Sequence, residues 1–262
     1  MLPTLFVSHG SPMTVVETTP ATVFMRGLAG GLPERPKAIL AVSAHWETPV
    51  PAVNAVEVNG TIHDFYGFPR ELYRITYPAP GSVELTERVS DLLCAAGLQS
   101  AVDQRRGLDH GAWAPLVLAY PEHDIPVVEL SVQSRLGPAH HLQLGRALAA
   151  LRSEGVLVLA SGSFTHDLRR FHGGPVDLPE APDVTAFAAW MDAALRDGRT
   201  CDLLTYRRQA PYAADQHPTE EHLLPLFVAL GAAGEGAKAE RIHASTEYGI
   251  LRMDAYAFHG VA

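Results

Sequence analysis

The chain has 262 residues, 47% of them hydrophobic and 19% charged, with a formal net charge of −9 from 20 basic and 29 acidic residues. Length and composition suit one large α/β domain, and the acidic balance, with no Lys/Arg cluster longer than a pair, argues against nucleic acid and anionic membrane as partners. Two isolated cysteines, Cys94 and Cys201, exclude a disulfide framework and a thiolate zinc site. No basic-then-apolar leader precedes the first strand, and no apolar run reaches membrane-span length. The expected location is the cytoplasm, and the expected organisation a single catalytic domain over residues 1–262.

In chain order, Leu2 to Ser8 reads as a buried strand delivering His9. Thr19 caps a helix with Pro20 at its first position, and Gly30 and Gly31 end it. Ala38 to Ser43 is an unbroken small and apolar run that leads into His45 and Trp46, as in a strand buried on both faces. Thr48 to Asn59 suits an edge strand or hairpin interrupted by Pro49 and Pro51. Thr61 to Pro69 is an aromatic loop, and Glu71 to Tyr77 alternates like a strand. Ser82 caps a helix to Ala96 in which Cys94 is a small core residue. A strand at Gln99 to Asp103, a loop carrying Asp109 and His110, and a helix at Trp113 to Tyr120 follow. Pro126 to Val132 is a strand, and Pro138 to Arg152 an amphipathic helix whose His140 and His141 are solvated.

Val156 to Ala160 is the third buried-type strand, running towards His166. Three prolines mark a surface loop before a helix that Asp183 caps. Pro218 to Leu230 reads as a helix kinked by Pro225, and strands at Lys238 to Ser245 and Gly249 to Phe258 close the chain. Strands alternating with helices give a three-layer α/β/α sandwich with a mixed central sheet.

Three strand ends that each deliver a histidine, His9, His45 and His166, suit a metal site, because ligands bind outside the carboxyl ends of open α/β sheets. Small neighbours such as Ser8, Ser43 and Ser161 leave room for an ion, and their hydroxyls can hold the second ring nitrogen. His217 and His222 are five apart and share no helix face, so at most one reaches the centre. The turn of His222 lies against the core, and His217 sits at the cap. His110, between glycines, is either a turn residue or a group that approaches substrate, with Asp109 as orienter. His63 and Asp64 are either a pocket pair or plain loop. Phe65, Tyr66 and Phe68 either pack on a ring or form loop core. No G-x-S-x-G elbow, G-x-G-x-x-G fingerprint or P-loop is present.

The blocks SHGSPM (Ser8 to Met13), SAHW (Ser43 to Trp46), IHDFYGFP (Ile62 to Pro69), YPAPG (Tyr77 to Gly81), LDHGAW (Leu108 to Trp113), ASGSFTHDLR (Ala160 to Arg169) and HPTEEHLLPL (His217 to Leu226) together resemble the extradiol ring-cleavage dioxygenases of the DOPA-dioxygenase, class III LigB-like type. The resemblance runs nearly end to end. It implies that His9, His45 and His166 bind the metal, with His222 as a fourth metal-facing or substrate-facing residue, and that His110 is the acid/base. It implies a mixed-sheet α/β fold and cleavage of a catechol by dioxygen, with iron(II) in active enzyme and zinc as a common occupant on isolation. An all-imidazole set departs from the usual two-histidine, one-carboxylate iron site and also suits zinc. Zinc has no accessible redox couple, so the competing readings are a zinc hydrolase using a metal-bound water and a non-catalytic metal-binding protein.

Overall fold

A computed structural model describes residues 1–260. Eight strands form one mixed sheet: β1 (Thr4–Ser8), β2 (Ala38–Glu47), β3 (Ala52–Asn54), β4 (Ala101–Asp103), β5 (Val127–Val132), β6 (Val156–Gly162), β7 (Lys238–His243) and β10 (Ala255–His259). Their order is β4-β3-β5-β2-β6-β1-β10-β7. The central strands β5, β2, β6 and β1 run parallel, whereas β10 pairs antiparallel with both β1 and β7. A separate hairpin pairs β8 (Thr246–Glu247) with β9 (Leu251–Arg252).

Helices cover both faces: α1 (Pro20–Gly27), α2 (Val83–Ala95), α3 (His110–Ala119), α4 (Gly137–Ala147), α5 (Pro182–Arg196), the short α6 (Thr200–Leu203), α7 (Tyr206–Gln209) and α8 (Ala213–Gln216), and α9 (Leu224–Ala232). Alternate strand residues divide between two cores. Phe6, Leu40, Val42 and Val158 face α2, α4, α5 and α9. Leu5, Val7, Ile39, Ala41 and Leu157 face α3 and the segment after α1. The period of two within continuous apolar runs is what a sheet covered on both sides requires, so the three-layer sandwich is as expected. No helix among the described residues is long and apolar enough to cross a membrane.

Several local expectations fail for identifiable reasons. Glu71 to Tyr77 is not a strand: Leu72 donates to Pro69 and Arg74 to Glu71 at 3.1 Å, so the segment's amides close a 3-10 turn. α3 begins at His110, capped by Asp109, rather than at Trp113. Pro225 lies in the first turn of α9, where it satisfies a helix start and makes no kink. Pro182 opens α5 at its first position and Asp183 follows it, paired with Arg170 instead of capping. The predicted final strand breaks into β9 and β10. Cys94 is exposed. His141 is buried, donating from Nδ1 to Gly137 at 2.7 Å and accepting the Gln133 amide at 3.1 Å.

α4 and α9 approach each other through Gly145 and Gly231. A Cβ on Gly231 would stand 2.2 Å from the Leu142 carbonyl oxygen, and one on Gly145 2.2 Å from that of Val228. Both obstacles are helix backbone, which yields only by moving the helices apart. Gly231→Ala is therefore expected to destabilise the fold by about 1–3 kcal/mol, the usual range for overpacking. An unchanged urea midpoint would show that α4 and α9 separate freely.

Candidate metal centre

β1, β6 and β2 are adjacent and parallel, so their carboxyl ends open on one edge of the sheet. His9 follows β1 directly, and His45 stands near the end of β2. His222 arrives from the turns before α9. The Ser163 amide donates to the His222 carbonyl at 2.8 Å. At the neighbouring Gly162 a Cβ would lie 2.1 Å from that same oxygen, so this close approach requires glycine.

The three rings converge through Nε2. His45 lies 3.1 Å from His9 and 3.2 Å from His222 by these atoms. The groups behind the rings fix where the protons are. His45 Nδ1 is 3.2 Å from Asp64 Oδ2, and His222 Nδ1 is 2.9 Å from Glu221 Oε1. A carboxylate accepts, so both Nδ1 atoms carry the proton. His9 Nδ1 lies 3.0 Å from Ser161 Oγ. Pro115 has no N–H, which leaves the Gly111 carbonyl of α3 without its helical donor. The Ser161 hydroxyl donates to that carbonyl. Its single proton is thus committed, and it accepts from His9 Nδ1.

Three Nε2 lone pairs therefore face one another with no proton between them. A cation relieves that repulsion, and two imidazole nitrogens on one ion at about 2.1 Å sit about 3.0–3.4 Å apart. The residues present fit a divalent metal. Burial, then the neighbouring His45, pushes His9 well below the usual imidazole range, and burial with His166 does the same to His222. Burial and His110 bring His45 down to about 4 against the opposing pull of Asp109, Asp64 and Glu221. Rings kept neutral are in the form that binds metal.

His166 lines the same cavity as His9 and His45 but is not among the three rings whose Nε2 atoms converge. It lies beyond the end of β6, with its amide bonded to Gln216 at 2.8 Å. Its ring stacks on His222 with centroids 3.4 Å apart, grouped with Glu221 and His222. The intervening loop lays His166 against the face of His222, where it lines the cavity. His217 is no cap of the following helix; it is buried in the core, its Nε2 3.0 Å from the Phe164 carbonyl.

His110 is oriented by Asp64, not by Asp109. Asp64 Oδ1 accepts both the amide and Nδ1–H of His110 at 2.9 Å. Burial alone would raise the Asp64 carboxyl, but the His110 hydrogen bonds outweigh it and hold it at about 2. With Nδ1 committed, Nε2 is the free nitrogen of His110, which lines the cavity. Asp109 instead caps α3, accepting the Ala112 amide at 3.2 Å and the Ser43 hydroxyl at 2.6 Å. Asp64 is thus a bridge between His45 and His110. His63, read as either a pocket residue or plain loop, bonds through Nε2 to the Ile75 carbonyl at 3.0 Å. Phe65 does line the cavity, with His110 edge-on at 5.7 Å.

Over residues 3–258 the sequence matches the family described as the catalytic LigB subunit of aromatic ring-opening dioxygenase. The chain belongs to that family. It is an extradiol aromatic ring-opening dioxygenase. It is 48% identical to a 4,5-DOPA dioxygenase extradiol of Beta vulgaris, covering 97% of this chain and 96% of the relative. A relative of the same description from Portulaca grandiflora is 43% identical, covering 98% and 95%. The crystal structure of an uncharacterized Escherichia coli K12 protein superposes with a TM-score of 0.81 at 36% identity, covering 98% of this chain and 99% of that one.

In this LigB-family chain a cavity of about 320 Å³ lies against the imidazoles. Behind it is a buried charge cluster that the sequence does not reveal. Arg106 Nη2 sits 2.5 Å from Asp109 Oδ2 and 3.5 Å from Glu129 Oε1, and its guanidinium covers the Trp46 ring at 5.0 Å. Burial and the neighbouring Asp109 push Glu129 well above the carboxylate range, which favours its protonated form. The cluster fixes the start of α3, and with it His110.

Replacing His9, His45 or His222 with Ala is expected to remove most bound metal while the chain stays folded, since the core lies elsewhere. His166→Ala is expected to retain it. Elemental analysis per chain checks both, and loss of metal only with His166→Ala would reverse the assignment.

Proposed function

We propose that His9, His45 and His222 hold one divalent ion, iron(II) in the active enzyme, and that the substrate is a catechol opened beside its two hydroxyls, as in 4,5-cleavage of DOPA. The observation that supports this most is the convergence of three unprotonated Nε2 atoms next to a cavity walled by His110 and Phe65. Iron(II), when bound, supplies the redox couple through which dioxygen attacks the ring, which zinc lacks. The ligand set carries no negative charge, so an ionised catechol is the favoured partner of the metal's uncompensated charge.

The protein's share of the chemistry falls to a few side chains. His110 Nε2 takes the second phenolic proton and returns it at ring opening. Asp64 keeps Nδ1 protonated throughout and stabilises the imidazolium that forms. Phe65 packs on the aromatic ring. His166, on the open side of His222, contacts the substrate rather than completing the ligand set. Metal residues and acid/base all stand on one sheet edge, so the chain works as a single catalytic domain on a small aromatic diol and dioxygen. We place it in the cytoplasm, a reducing compartment that suits its free cysteines and divalent iron.

Three experiments test this. Protein stripped of metal and reloaded anaerobically with iron(II) is expected to consume oxygen and form a yellow ring-opened semialdehyde from para-substituted catechols. Zinc-loaded protein should do neither, and ester or amide cleavage by the zinc form without oxygen uptake in either would indicate a hydrolase. His110→Gln should keep its metal and lose about 10²- to 10⁴-fold in turnover, the span of a positioned acid/base. Asp64→Asn should cost about 10- to 100-fold, as for other groups that orient ligands from behind.

A further inference from the structure

α3 begins against the His45 ring, and its second residue is a glycine for reasons of contact alone. Gly111 is buried and has ordinary helical backbone, so its conformation would admit any L residue. The space around it would not. A Cβ here would stand 2.5 Å from Ser43 Oγ, 3.0 Å from His45 Cδ2 and 3.2 Å from Asp109 Oδ1. Each of these neighbours is held in place. The Ser43 hydroxyl donates to Asp109 at 2.6 Å and accepts the His45 amide at 3.2 Å. Asp109 is fixed by Arg106 and by the Ala112 amide. His45 is braced by Asp64 through Nδ1 at 3.2 Å. A side chain at position 111 therefore moves the His45 ring, Ser43 or the start of α3.

The carbonyl of Gly111 reaches His9. It takes the Ser161 hydroxyl, and Ser161 accepts from His9 Nδ1 at 3.0 Å. Gly111 thus seats His45 against its bare Cα, steadies His9 through its carbonyl and follows His110 directly. The three rings lie close together, with centroids 5.0 Å apart for His9 and His45, 4.0 Å for His45 and His110, and 5.4 Å for His9 and His110. Magnitudes decide what a side chain would do. An ordinary carbon–carbon contact is about 3.5–4.0 Å, so His45 Cδ2 would have to give way by about half an ångström or more. Metal–ligand distances tolerate only about 0.2 Å.

Building on His9, His45 and His222 as the ligand set, we propose that Gly111 is a positioning residue of the metal centre: its missing side chain seats His45, its carbonyl steadies His9, and a Cβ at this position loosens the grip on the ion. Metal-stripped protein titrated with cobalt(II) reports affinity and, through the visible absorption bands, coordination geometry. Gly111→Ala is expected to bind cobalt about 10- to 100-fold more weakly than the parent chain, with altered bands, the range for groups that orient ligands from behind. Made in a Ser43→Ala chain, which clears the nearest obstacle, the same change should cost at least about threefold less. Ser161→Ala adds no bulk and cuts the link to His9, and about tenfold weaker binding is expected. Gly231→Ala controls for general loss of stability: its urea midpoint falls while cobalt affinity and bands stay as in the parent. Parent-like affinity and bands in Gly111→Ala, an equal loss in Gly231→Ala, or a Gly111→Ala loss independent of Ser43 would overturn the proposal. Unchanged binding in Ser161→Ala would overturn it even if Gly111→Ala does not fold. Cobalt binding that survives His9→Ala and His45→Ala together would instead show that the ligand set itself is wrong, and the proposal with it.

Discussion

Three imidazole lone pairs pointed at one another, with no proton among them, are the constraint around which this end of the molecule is arranged. Left alone they repel, and their 3.1 and 3.2 Å separations make sense only with positive charge between them. What keeps protons out is the backing of each ring. For His9 that backing begins with a proline: Pro115 cannot donate within α3, the Gly111 carbonyl takes the Ser161 hydroxyl instead, and Ser161 must then accept from the ring. A break in helical hydrogen bonding thus sets the tautomer of a residue on another element.

Asp64 extends the same logic to His110. One oxygen fixes His45 and the other fixes His110, so these two rings share one carboxylate and sit with centroids 4.0 Å apart. The helix that starts at His110 is pinned by Asp109, whose charge is balanced by Arg106 and flanked by Glu129. Removing one member of such a buried set leaves another unpaired, so the placement of His110 depends on residues that never reach the cavity.

The cavity divides between rigid and loop-borne walls. His9 and His45 are set by strands of the sheet, where precision matters for a metal. Leu168, Phe171 and Tyr248 come from a loop and a hairpin turn, the segments in which binding preferences are most easily altered without disturbing a core.

The sequence by itself determined the sandwich and its sheet, because continuous apolar runs such as Ala38 to Val42 and Val156 to Ala160 suit only strands covered on both sides. It also determined that His9 and His45 stand at strand ends, since each run stops where its histidine begins. Its local pattern could not place His166, His222 or Asp64. His166 and His222 lie on non-strand segments joined by a backbone hydrogen bond between Ser163 and His222, across some 60 residues of chain. Which of the two meets the other rings is decided by the glycine contact at position 162. Asp64 lies in a loop whose composition says nothing of its reach, and Asp109 beside His110 was the nearer orienter in sequence but is used as a helix cap. Periodicity encodes which face of an element is buried. The meeting of side chains from separate loops depends on tertiary packing, and only the folded chain decides it.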